Sequence, residues 1–469
     1  MPTTLPRWTR LGTAAVALAA TLQGAGCRRA GPAYDNLLLV TVDTLRADHL
    51  GLYGYPRPTS PFLDELGKEG VVFWRAIAAS SHTAPSHATI LTALYPEQHR
   101  VLVNGQGLLP DVPGLAGIAR AQGIDTAAFA SVRFLAGLGQ GFDSFDAEVP
   151  EGQVFRTADA TVDRAVEWLR RRQGKRRFAL WVHVYDPHQH VATTRMPEPH
   201  YQKMREDSAR RGDELLYFLR QEHGYPRDAV SESIDRYDAQ VAFVDAELRR
   251  LFAAAAAAAP ARRTLRVVTA DHGEGLASHG FEGHGRYLYN EQLRVPLIIH
   301  GDTGRLRHAV VPGLVRHVDL MPTIAELLGL PLAEPVLRLE GRSLTRLFEA
   351  PSADLGIEPA FSQRRPPDER RLEAGWEPGT KLAAQDAEHK YIFNSEGGDE
   401  FYDLRLDPNE LRNLVEETRP ERDRLREWLH RKFEALGRDQ RTAGAAPDVD
   451  PRHLEDLKAL GYIQDTVNP

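Results

Sequence analysis

Five short runs of this 469-residue chain are dominated by apolar and β-branched residues: Asn36–Val42 (NLLLVTV), Thr126–Ala130, Phe178–Val184 (FALWVHV), Leu265–Thr269 and Val295–His300. Runs of that length without polar alternation are strands covered on both faces. Helical patterns separate them at Asp111–Gln122, Asp159–Arg172 and Ile234–Ala258. The alternation predicts an α/β fold, a doubly wound, mostly parallel sheet with helices on both faces. Three of the runs end in polar clusters: Asp43-Thr44, Tyr185-Asp186-Pro187-His188 and Asp271-His272-Gly273. Open sheets of this kind bind ligands beyond the carboxyl ends of their strands, so the chemistry is expected there.

Composition narrows the function. With 58 basic against 65 acidic residues the net charge is −7, which gives no excess to follow a nucleic-acid backbone. The 42% hydrophobic content suffices for a buried core. A single cysteine excludes an internal disulfide framework, a zinc ribbon or an iron–sulfur centre. That cysteine, Cys27, follows a basic start (Arg7, Arg10), a short apolar stretch (Leu11–Leu22) and Gly24-Ala25-Gly26. The stretch is too short to span a bilayer as a helix. Residues 1–27 resemble a bacterial lipoprotein signal with Cys27 as the lipidation site. The alternative is an ordinary secretory signal, because Gly24 stands where the lipoprotein pattern prefers Leu. Either way the chain is expected outside the cytoplasm, in the periplasm or cell envelope of a bacterium, touching membrane only through an N-terminal lipid.

Residues 34–330 then form the expected catalytic domain, with a polar helical excursion at 193–233. Residues 331–380, rich in Pro, Arg and Asp towards their end, read as linker and exposed loops. Residues 381–469 read as a small C-terminal α+β subdomain, with short strands at Lys390–Asn394 and Glu400–Leu404 and a helical stretch over Asn409–Leu436.

Each polar cluster is ambiguous alone. Asp43 either caps the next helix or binds a cation. Thr83, in SSHTAPSHATILTALYP, is either a helix cap or a nucleophile at the N-terminus of a helix running from about Ser86. Asp271-His272 offers adjacent oxygen and nitrogen ligands, and His284 follows twelve residues later in a glycine-punctuated loop. Together they outline a metal-assisted ester-cleaving site.

At this level the chain resembles the sulfatase family of the alkaline-phosphatase superfamily. The resemblance runs from Asn36 to about Gln464 through VDTLRADHLGLYG, TAPSHATILTALYP, GFDSFD, VHVYDPH, YDAQVAFVDAELRRLF, TADHGE, LYNEQLRVPLII, VDLMPTIAELLGLP, FYDLRLDPNELRNL and LKALGY. It implies metal ligation by Asp43, Asp271 and His272, with Thr83 as a nucleophile that also touches the metal. It places His188 and His284 against the transferred anionic group or the leaving group. Asn104, in VNGQG, matches an asparagine that binds a phosphate oxygen in related phosphodiesterases; the other reading is a turn residue. Asp186 and His190 have the DxxxH spacing of a second metal site, although DPHQH also fits an arrangement in which only His188 matters.

The departures from the family are specific. Formylglycine sulfatases read Cys or Ser, then x-Pro-x-Arg, where this chain has Thr83-Ala84-Pro85-Ser86-His87. Threonine cannot give formylglycine, and His87 takes the place of a substrate-binding arginine. The family's second aspartate is Thr44, and its next lysine is missing near Ser131–Arg133. The pattern resembles threonine-nucleophile members that act on phosphorus. The expected cofactor is a divalent metal ion, with Zn²⁺ or Mn²⁺ suiting a nitrogen-containing ligand set better than Ca²⁺, which stays as the alternative. The expected partner is a small-molecule, glycan or lipid ester. Two other functions compete: a transferase working on envelope lipids or glycans, and a binding protein that has kept only the fold.

Overall fold

The computed structural model describes residues 32–172, 176–190, 196–226, 232–302, 306–332, 339–438, 449 and 453–459. Cys27 and the signal segment lie outside the described residues.

Eight strands form the main sheet: β1 (Asn36–Val42), β2 (Val71–Ile77), β3 (Asp125–Ala130), β4 (Ser144–Asp146), β5 (Phe178–Val184), β6 (Thr264–Ala270), β7 (Arg294–Gly301) and β8 (Ala309–Arg316). Their order is β4-β3-β5-β1-β6-β7-β2-β8, and only β7 runs antiparallel to its neighbours. Every residue of β1, β5 and β6 is buried, which is why these strands carry continuous apolar runs rather than alternation. Helices Pro61–Glu69, Ala158–Arg171 and Glu232–Ala258 pack together on one face; Thr83–Thr92, Leu115–Ala121 and Leu320–Leu328 associate on the other. The doubly wound expectation holds. β2 and β8 were not legible as strands, because VVFWRAI and AVVPGLVR mix exposed and charged positions into their sequence.

The polar excursion forms two helices, Glu198–Arg211 and Asp213–His223. Arg57 anchors the first: its guanidinium donates to Met204 O at 2.6 Å and pairs with Asp207, Asp235 and Asp238. The buried Arg57 charge is tolerated because it is paired with these carboxylates, of which Asp238 is fully buried.

The 331–380 reading needs correction. Ala360–Arg364 is a buried strand, β9, not a linker. It begins an antiparallel sheet with β10 (Lys381–Gln385), β11 (His389–Asn394) and β12 (Glu400–Asp403), in the order β12-β11-β10-β9. The helical stretch begins only at Pro420, which occupies the first turn, and ends at Gly437. Its Leu425 and Leu429 pack with Phe361, Leu382, Tyr391 and Phe401. β9 is also tied to the main domain: Gln363 N donates to Ala79 O at 3.0 Å and Ser362 Oγ to Ala78 O at 2.6 Å. A five-residue strand of mixed polarity has no periodic signature; pairing on both sides makes it a strand.

Candidate active site

β5, β1 and β6 are adjacent and parallel, so Asp186, Asp43 and Asp271 emerge at one edge of the sheet. β2 runs the same way, and its continuation delivers Thr83 to that edge as the first residue of the Thr83–Thr92 helix. All ten residues of this helix are buried, which hides the amphipathic period a surface helix would display.

Asp43, Asp271 and His272 are buried and present ligand atoms within 4.8 Å of one another. Among the described residues, Asp43 Oδ1 and Asp271 Oδ2 have no hydrogen-bond partner. Burial, then the charges of Asp271 and Glu274, push the Asp43 carboxyl well above its usual range, while a hydrogen bond from Thr83 opposes this. His272 Nδ1 lies 2.9 Å from Gly273 O, a geometry in which the ring donates to the carbonyl. That leaves the Nε2 lone pair free on the side of Thr83, whose Oγ1 is 3.4 Å away. Burial holds His272 down at about 4, so the ring is neutral as a metal ligand must be. Two orphaned carboxylate oxygens and a neutral imidazole nitrogen in one buried cluster fit a divalent cation.

The neighbouring backbone is shaped around this cluster. Thr44 has φ +55, rare for a β-branched residue. It is pinned by its N–H to Asp271 Oδ1 at 3.2 Å and by Tyr237 Oη, which donates to its carbonyl at 2.7 Å. Such strain persists only where surrounding contacts over-determine it, and it commonly marks a functional site.

The histidines beyond the cluster form a connected series. The His284 ring lies 4.5 Å from His272 and 4.7 Å from His188, and His188 stacks on Tyr185 at 4.3 Å. Asn104 Oδ1 accepts the Ala84 N–H at 2.8 Å, so its amide is fixed beside the start of the Thr83 helix. Its buried Nδ2 has no partner among the described residues, as a donor awaiting an anion would.

One expected site residue is placed differently, and the second-metal pair lies partly outside the described residues. The buried His87 Nδ1 is 2.8 Å from Thr83 O and its Nε2 is 2.9 Å from Thr41 Oγ1. Both nitrogens are consumed inside the fold: one helical turn returns the ring of His87 to the carbonyl of Thr83, so it does not reach substrate as the family's arginine would. Asp186 is buried on the Asp186–His190 turn, but the His190 side chain lies outside the description. Among the described residues, Asp43, Asp271 and His272 form the one group with metal-ligand geometry.

Two contributors had no signal in the sequence. His183 Nε2 lies 3.1 Å from Asp43 Oδ2, and Glu274 Oε2 is 3.2 Å from His284 Nδ1. His183 lies within the apolar run of β5, one residue before its end, where a lone histidine reads as core; only its position beside Thr41 across β1 and β5 brings it to Asp43. Glu274 follows the metal cluster in TADHGE but has no spacing of its own to reveal its partner.

A mostly parallel sheet with an Asp/Asp/His cluster, a helix-terminal hydroxyl and flanking histidines at its carboxyl edge defines a hydrolase of the alkaline-phosphatase superfamily. The sequence profile of the family named Sulfatase matches residues 35–330, and the chain belongs to that family. It is 25% identical over 81% of its length to the multifunctional alkaline phosphatase superfamily protein PehA of Trinickia caryophylli, covering 91% of that protein. It is 24% identical, over 81% of this chain and 85% of the other, to the Δ4,5-hexuronate-2-O-sulfatase of Bacteroides thetaiotaomicron. In fold it resembles the phosphonate monoester hydrolase of Agrobacterium radiobacter, with a TM-score of 0.64, 22% identity and coverage of 87% and 96% of the two chains.

Proposed function

We propose that this protein is an exported, metal-dependent hydrolase of sulfate or phosphate esters that uses unmodified Thr83 as nucleophile. The carrying observation is the position of Thr83 Oγ1, 3.4 Å from His272 Nε2, at the N-terminus of a buried helix. Asp43, Asp271 and His272 would hold the cation, which when bound supplies Lewis-acid charge and lowers the pKa of a ligating hydroxyl. Zn²⁺ or Mn²⁺ suits this set.

The chain's own groups do the rest. Thr83 Oγ1, its proton lost to solvent, forms a bond to sulfur or phosphorus as the bond to the leaving oxygen breaks. The Asn104 amide and the helix N-terminus hold the non-bridging oxygens. His284 or His188 gives a proton to the departing oxygen, and water then releases the covalent ester from Thr83. Independence from formylglycine rests on the methyl group at the Thr83 Cβ. The names of PehA and of the phosphonate monoester hydrolase support chemistry on phosphorus; that of the hexuronate sulfatase supports chemistry on sulfate. Export rests on residues 1–27. The transferase alternative gains no support from a membrane portion, since among the described residues no helix is long and apolar enough to cross a membrane.

The test is a paired assay of aryl sulfate, phosphate monoester and phosphodiester with Zn²⁺, Mn²⁺ and Ca²⁺ in turn, on wild type and Thr83→Ala. Turnover should vanish in Thr83→Ala, with metal content and circular dichroism unchanged. Mass spectrometry of the Thr83 peptide should show no aldehyde. Undiminished turnover in Thr83→Ala would refute the mechanism.

A further inference from the structure

The segment after β9 closes over the region next to Thr83. Trp376 is brought back by its N–H to Arg371 O at 2.8 Å and packs edge-on against Phe281 at 5.8 Å. Gly285, the residue after His284, is where this segment meets the site. A Cβ there would lie 2.9 Å from His82 Nε2 and 3.4 Å from Trp376 Cη2, and φ +81 also demands glycine. Trp376 and His82, the residue before Thr83, therefore share one contact point beside His284.

Three arginines surround this point. Arg286 Nη2 donates to Gly375 O at 2.7 Å. Arg364, 1% exposed, donates to Glu377 O at 3.1 Å and Gly379 O at 3.1 Å. Arg371 lies over Trp376 at 5.2 Å and pairs with Asp368 at 3.2 Å. Carbonyls satisfy guanidinium hydrogen bonds but leave the charge uncompensated. Among the described residues neither Arg286 nor Arg364 makes an ion pair, and the buried Nε of each has no hydrogen-bond partner. Arg364 is buried and Arg286 and Arg371 are half-buried, and holding like charges this close is costly unless an anion joins them. Burial and repulsion from Arg286 and Arg371 outweigh the attraction of Glu377 and bring the Arg364 guanidinium down to about 10.

We propose that Arg286, Arg364 and Arg371, with the face of Trp376, form a subsite for a second anionic group on the leaving alcohol, so that the enzyme selects esters of anionic alcohols. The selectivity rests on the reading of the Thr83 site as ester-cleaving; the anion subsite itself is a binding property and is measured without turnover. Carboxylate, sulfate and phosphate share the chemistry that planar guanidinium donors recognise, and the aromatic face would carry the ring that bears them.

The test is calorimetric binding of phenol and 5-hydroxyisophthalate, its dicarboxylate analogue, to wild type, Thr83→Ala, Arg286→Gln/Arg371→Gln and Arg286→Lys/Arg371→Lys. Wild type and Thr83→Ala should bind the dicarboxylate at least ten-fold more tightly than phenol, with affinity falling as salt rises. The glutamine pair should lose that preference and the lysine pair should keep most of it. Equal binding of the two probes by wild type overturns the subsite whether or not the glutamine variant folds. An unchanged preference in a folded glutamine variant overturns it as well. Loss of turnover in Thr83→Ala with the preference intact separates this result from the fate of the hydrolase reading. Replacing phenol by sulfonated and phosphorylated phenols identifies which anion the subsite prefers.

Discussion

His183 Nε2 lies 3.1 Å from Asp43 Oδ2, with both side chains fully buried. Burial, with charge from His87, His272 and Arg156 adding to it, holds His183 well below its usual range. The ring is therefore a neutral Nε2–H donor that fixes one carboxylate oxygen and leaves Asp43 Oδ1 for a cation. Partners in this position usually contribute 10- to 100-fold to metal affinity or activity. His183→Ala should thus weaken metal binding by roughly 10- to 100-fold, read by chelator competition. Asp271→Ala, which removes a ligand, should abolish stoichiometric metal in elemental analysis.

Glu274 Oε2 lies 3.2 Å from His284 Nδ1 and orients the ring that we assign to the leaving group. His284→Ala should therefore lose about 10²–10⁴-fold in kcat on esters of weakly acidic alcohols. Activated nitrophenyl esters, whose leaving oxygen needs no proton, should lose much less. An equal loss on both series would remove His284 from the proton-transfer role.

His87 is a different kind of residue. Its hydrogen bonds to Thr83 O and Thr41 Oγ1, and its contact with Trp181 at 5.3 Å, make it a buried brace. Thr41 Oγ1 also accepts the Trp181 indole N–H at 2.9 Å. His87→Ala leaves a cavity and a Thr41 hydroxyl proton without its acceptor, for a cost of about 2–4 kcal/mol in denaturant unfolding. KM should change little, whereas a substrate-binding residue would raise it.

Asp245 gives a pH signature remote from the site. Its carboxylate accepts Phe62 N–H at 2.9 Å and Leu63 N–H at 2.8 Å at the start of the Pro61–Glu69 helix, yet burial raises its pKa to about 7. A folded pKa above the unfolded value of 3.8 means the folded state holds the proton more tightly. This contribution to stability is complete below about pH 4 and is lost as pH rises through about 7. Asp245→Asn should flatten the fall in Tm across that window, measured by calorimetry; an unaltered slope would rule the carboxyl out as its source.

The sequence determined the elements whose character is local. Wholly buried strands must be apolar throughout, so β1, β5 and β6 were readable, and with them the polar turns that carry Asp43, Asp186, Asp271 and His272. The resemblance to known relatives supplied Thr83, Asn104 and His284 as the rest of the candidate set. Tertiary structure decided what depends on partners far apart in the chain. His183 reaches Asp43 because Thr41 and His183 pair across β1 and β5. His87 lies one turn along the helix from Thr83, and only the packing of that helix on Thr41 and Trp181 turns it inward. Ala360–Arg364 is a strand because β10 and the Ala78–Ser80 segment supply its hydrogen bonds, and it carries Arg364 towards Trp376 from a stretch whose composition reads as loop. Local pattern records which face of an element is buried; it does not record against what, and in this protein the choice of neighbour separates a histidine that braces Thr83 from one that meets Asp43.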